Sequence, residues 1–280
     1  MLNEFLLPFE FAFMNRAFLI TIIISFPCSL LSCYLVLKGW SLIGDAISHA
    51  ILPGIALSYI FGTLLILGST IAGVFCIVLS GFISQNSRIK NDTSLGIVFS
   101  GMFAIGLILV MSLNTNIDLH HIIFGNILGI EINEIVSTLI ISILTFIFLV
   151  VRKNDLLLFS FDPIQASVTG INTKLIYYLL LISISLVVVS NLYTVGIILS
   201  IGLLIVPGSI AFMLSKSFFH MQFISFSSSV ISIFFGIYIS FYIDSSPAPT
   251  IILVLSTIFF LLLLSKLISK NIFMNLKIMK

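Results

Sequence analysis

The sequence predicts an all-α fold: a polytopic integral membrane protein with about nine, at the fewest eight, transmembrane helices in one bundle over residues 1–280. Three observations carry this expectation. First, 60% of the residues are hydrophobic, only 8% are charged and the mean hydropathy is +1.30, so polar side chains are too few to cover a water-soluble globule. Second, the apolar runs are long enough to cross about 30 Å of hydrocarbon at about 1.5 Å per residue. Third, those runs lack the two-residue alternation of a membrane barrel, and within lipid only helices and closed barrels satisfy every backbone amide.

Taken in order, the runs place spans at residues 17–37, 42–61, 66–83, 95–113, 135–151, 175–191, 195–214, 222–243 and 249–267. The second and third are close enough to form a hairpin turning between Gly62 and Gly68; were one hairpin re-entrant, the count would fall to eight. Residues 1–15 have no basic n-region and no small-residue cleavage site, so a removable signal peptide is not expected. Cys28, Cys33 and Cys76 lie in apolar runs without CxxC spacing, as small core hydrophobes do. Short cytoplasmic loops retain Lys and Arg. With the C-terminus inside and nine crossings, eleven of the twelve Lys and Arg residues fall on the cytoplasmic side and only Arg16 lies outside, which puts the N-terminus outside.

Within the second span Asp45 and His49 stand four residues apart, on one face of a helix and in otherwise apolar surroundings. A carboxylate in a membrane costs about 2.5–3.5 kcal/mol on insertion scales, so it normally faces a cavity, a partner or a substrate. Carboxylate oxygen and imidazole nitrogen suit Mn²⁺, Fe²⁺ and Zn²⁺. The plainer reading pairs Asp45 with Lys38 and leaves His49 to bond a neighbouring helix. Gly44, Pro53 and Gly54 would allow close helix approach and a kink. In the loop after the fifth span, FDPIQASVTGIN reads as a short capped helix: Asp162 is the N-cap, Pro163 the first helical residue and Gly170 the left-handed C-cap, with Ile164 and Val168 on one face. A soluble partner could grip it, or it could simply order the loop. Asp118, His120, His121, Glu131 and Glu134 form a polar outer stretch, and adjacent histidines are a weak metal signal. No GxxxxGK[ST] phosphate loop occurs, so ATP hydrolysis is not this chain's work, and the dispersed basic residues give no nucleic-acid footprint.

The strings LKGWSLIGDAISHAILPGIAL, HHIIFGNILGI, FDPIQASVTGI and VGIILSIGLLIVPGSIA, in that order, resemble the successive signatures of the bacterial ABC-type manganese, zinc and iron(II) permease family. The KGWSL opening and the residues from Ser48 to Pro53 look like its manganese and chelated-iron branch. The resemblance implies a cell (inner) membrane transporter of two permease subunits, the second being this chain again or a close paralogue. It also implies two cytoplasmic ATP-binding subunits and an extracytoplasmic metal-binding protein. It implies no permanently bound cofactor, the divalent metal being cargo. On this chain Asp45 and His49 match the family's pore metal ligands, and Asp162, Pro163, Ile164, Val168 and Gly170 match its ATPase-coupling helix. Gly202 and Gly208 depart from the pattern by standing where alanine is expected. Competing expectations are a zinc importer of the same family, a metal-chelate permease, which would have a larger cavity without the Asp/His pair, and a stand-alone proton-coupled transporter, which would need more intramembrane ionisable residues or broken, repeated helices.

Overall fold

The structure, a computed structural model, describes residues 7–112, 127, 129 and 132–278. Its helices are α1 (Ala12–Lys38), α2 (Ile43–Ala50), α3 (Leu52–Phe61), α4 (Leu65–Asn86), α5 (Asn91–Ser112), α6 (Ile132–Val151), α7 (Lys153–Phe161), α8 (Pro163–Val168), α9 (Thr173–Leu214), α10 (Phe218–Ile243) and α11 (Pro247–Ile278). Counting α2 and α3 as one kinked span, eight of the described helices are long and apolar enough to cross a membrane.

The longest of these, α9, spans 42 residues, about 63 Å if straight and twice the hydrocarbon thickness. It is not straight. Gly196 has φ 82° and ψ 171°, a backbone conformation that a side chain would oppose, and the helical geometry breaks there. Contacts with α1 show the direction of the break. Asn191 Nδ2 donates to Cys28 Sγ at 3.1 Å, and the Gly208 amide donates to Ser32 Oγ at 2.8 Å. Cys28 and Ser32 are one turn apart, about 6 Å, whereas residues 191 and 208 on a straight helix would be about 25 Å apart. The chain therefore folds back at Gly196 into two antiparallel arms, 173–195 and 197–214. Nine crossings result among the described residues, with the two arms falling where the sequence places its sixth and seventh spans.

α1 and α9 form the centre of the bundle. Around them α10 and α11 pack on one flank, α2 to α5 on the other, and α6 lies against both α1 and α9. The core between them is aliphatic, with Ile24, Leu31, Val188, Leu192, Leu199 and Leu203 all fully buried. Gly208 is required at its position: a Cβ there would stand 2.5 Å from the Ser32 carbonyl oxygen, so the α1–α9 contact exists because the residue is not alanine. At Gly202 the obstruction is the Ile252 side chain, which can move. All three cysteines are buried and unpaired, as expected of core hydrophobes.

The basic residues gather at one end. Lys38 Nζ donates to the Phe159 carbonyl at 2.7 Å and lies 3.8 Å above the Phe159 ring, tying the end of α1 to α7. Lys266 Nζ donates to the Met213 carbonyl at 2.7 Å, which ties the end of α9 to the C-terminal half of α11. By the positive-inside rule this end is cytoplasmic.

Candidate functional site

α2 is a two-turn helix that buries Ile43, Ala46, Ile47 and Ala50. Their spacing leaves Asp45 and His49 on the remaining face. His49 Nε2 lies 3.5 Å from Asp45 Oδ1, and the two side chains are 40% and 48% exposed on the single chain. The imidazole is backed by α5, with the Phe103 ring 5.3 Å away edge-on and Phe99 stacked at 6.4 Å. The α2–α3 break follows at Ile51, and Pro53 opens α3. Proline has no N–H, so the His49 carbonyl lacks the amide that would bond it from four residues on. The pair thus sits on the last turn of a short helix whose C-cap amide, that of Ile51, is directed at the His49 and Ile47 carbonyls.

The alternative pairing of Asp45 with Lys38 is not made, because Lys38 is engaged with Phe159. Asp45 and His49 supply one oxygen-type and one nitrogen-type ligand, and among the described residues no group of three His, Cys, Asp or Glu side chains could hold a metal. Asp118, His120, His121 and Glu131 lie outside the described residues.

The loop helix has the caps its sequence demands. Asp162 Oδ1 accepts from the amides of Ile164 at 2.9 Å and Gln165 at 3.0 Å, and Pro163 occupies the first turn. At the other end Gly170 takes φ 85°, its amide bonds the Ser167 carbonyl, and the Ile171 amide bonds the Ala166 carbonyl. Ala166 is fully buried, whereas Ile164 and Val168 are 78% and 81% exposed. Two large apolar side chains are thus held outward on a rigid turn.

The kink expected at Pro53 is present, since the helix breaks at Ile51 just before it. Two features of this region were not foreseen from the sequence. Phe99 and Phe103, a helical turn apart on α5, carry an aromatic i, i+4 signal that marks the wall behind His49. The second feature is a knot of Lys38, Trp40, Phe159 and Tyr177, in which Trp40 and Tyr177 meet at 5.6 Å and Phe159 and Tyr177 at 6.4 Å. No local pattern announces it.

A helical bundle with nine crossings among the described residues defines a multi-pass membrane protein. The ABC 3 transport family matches residues 10–266. The chelated iron transport system membrane protein YfeD of Yersinia pestis is 46% identical over 252 residues, 90% of this chain and 85% of that protein. The manganese transport system membrane protein MntB of Synechocystis sp. is 44% identical over 252 residues, 90% of this chain and 82% of that one. The structure of PsaBC from Streptococcus pneumoniae in complex with Fab superimposes with a TM-score of 0.82 at 32% identity, covering 94% of this chain and 95% of that one. The chain belongs to the ABC 3 transport family and is a multi-pass protein of the inner membrane.

Proposed function

We propose that this chain is the permease subunit of an ATP-binding-cassette importer for a divalent transition metal, Mn²⁺ or Fe²⁺. The relatives named for manganese and for chelated iron support the substrate class. The observation that carries the reading is the Asp45–His49 pair, 3.5 Å apart and half exposed within an otherwise apolar span. A half-exposed carboxylate facing hydrocarbon would be costly; facing a second permease subunit across a pore, it becomes half of an ion site. Two Asp and two His from two subunits would hold an ion through a few bonds, and such a site releases its cargo when the subunits move apart. The ligand set favours metals that accept oxygen and nitrogen donors over Cu⁺.

In this reading an extracytoplasmic binding protein delivers the metal, and cytoplasmic ATP-binding subunits hydrolyse ATP. The exposed Ile164 and Val168 of α8 seat in those subunits and transmit their motion. The test is metal uptake by the reconstituted complex, measured per folded complex across Mn²⁺, Fe²⁺ and Zn²⁺. Asp45→Asn keeps the side-chain size and removes the charge; His49→Ala removes the nitrogen donor. Each is expected to lower uptake more than about tenfold while assembly is retained. Near wild-type uptake by both variants would put the ligands elsewhere.

A further inference from the structure

We infer that a groove on the outer flank of α1 is a binding site for one anionic phospholipid of the cytoplasmic leaflet. α6 and α10 both pack on α1 but scarcely on each other, leaving an open channel with α1 as its floor. Two cavities occupy it. One, of about 410 Å³, is lined near the basic end by Lys153, Phe219, Gln222 and Phe223 and deeper by Phe26 and Phe146. The other, of about 270 Å³, continues past the same Phe26 and Phe146 to Ile23 and Leu139 and is wholly apolar. Phe26 meets Phe146 at 6.1 Å and Phe226 at 4.4 Å, so the three rings form a waist between the two chambers.

The dimensions match one leaflet. From Leu139 to Val150 along α6 is about 16 Å, close to half of the roughly 30 Å hydrocarbon core. Lys153 then stands just beyond the apolar stretch, at the depth of the headgroups.

Charge selects the lipid. Arg152 is neutralised by Asp155 at 2.8 Å, but among the described residues Lys153 has no carboxylate within ion-pair distance. Its ammonium lies 5.1 Å above the exposed Phe219 ring, over the mouth of the groove. The Gln222 amide, without a hydrogen-bond partner among the described residues, lines the same mouth. An ammonium and an amide donor at the interface, above a slot one acyl chain deep, fit a phosphate diester carrying net negative charge, with a fatty chain passing the aromatic waist. The bound lipid would bridge α10 to the start of α7, the helix that leads into α8.

The experiment uses the full-length chain, purified in detergent and stripped of lipid. Retained lipid is counted by native mass spectrometry, and the thermal midpoint is followed with phosphatidylglycerol, phosphatidylcholine or inorganic phosphate added. Phosphatidylglycerol is expected to bind roughly fivefold more tightly than phosphatidylcholine, the contribution of one lysine near an anionic surface. Lys153→Gln should abolish that preference, Lys153→Arg should keep it, and Phe146→Trp should weaken both lipids by crowding the waist. Equal affinity of the wild type for both lipids, or an undiminished preference in Lys153→Gln, would overturn the inference. So would stabilisation by inorganic phosphate equal to that by the lipid, because the site would then hold an anion without a chain.

Discussion

Pro53 and His49 show how much a single residue decides here. Four positions separate them, so the missing proline amide belongs to the hydrogen bond that the His49 carbonyl would accept. Pro53→Ala is expected to close that bond and straighten α2 into α3. Metal uptake by the reconstituted complex should fall while the amount of folded protein is unchanged or higher. Glycines supply a matched stability pair. Gly208→Ala places its Cβ 2.5 Å from a backbone oxygen on α1, and overpacking of this kind costs about 1–3 kcal/mol. Gly202→Ala meets only the Ile252 side chain at 2.9 Å. Thermal unfolding of the solubilised protein should fall clearly for the first and little for the second.

Among the elements, α8 is the clearest case of local sequence writing local structure. Asp162, Pro163 and Gly170 each meet a need of a helix terminus, and all three adopt the predicted roles, because capping depends on neighbours within four residues. Its function depends on what it touches. Ile164→Asp should leave expression and basal ATP hydrolysis intact but lower metal transported per ATP, since a carboxylate is harmless in water and costly against a partner's apolar groove. Wild-type coupling in that variant would reduce α8 to a loop ornament. Lys38 offers a second probe, because it joins the end of α1, three residues before the turn into α2, to α7. Lys38→Met keeps much of the packing over Phe159 and removes the 2.7 Å bond to its carbonyl. The expected result is a lower transport-to-hydrolysis ratio with normal assembly, whereas a merely structural role would lower folded protein and leave the ratio alone.

For the whole molecule, the fold-back of α9 at Gly196 fixes the parity of the topology and hence which loops share a side. Single cysteines introduced at Asn154 and at Lys216, on either side of α9, should be labelled from the same face of the membrane by an impermeant reagent; labelling from opposite faces would mean that α9 crosses once and would break the fold-back. The proposed two-subunit ion site makes a further demand at this scale. Transport-competent complexes should contain two permease subunits, and a monodisperse complex with one copy that still imports metal would contradict the proposed pore.

The sequence by itself determined the class of solvent, the helical fold, the approximate place of the described spans and the caps of α8. These follow from hydropathy summed over about 20 residues and from contacts within one or two turns, both of which are properties of contiguous chain. It also placed Asp45 and His49 on one helical face, because a spacing of four does so on any helix. The tertiary structure alone decided that Lys38 turns to Phe159 and not to Asp45, that Phe99 and Phe103 stand behind His49, that α9 reverses at Gly196 and that Gly208 must be bare. Each of these joins residues far apart in sequence, and such neighbours are chosen by how the helices pack, which no window along the chain contains.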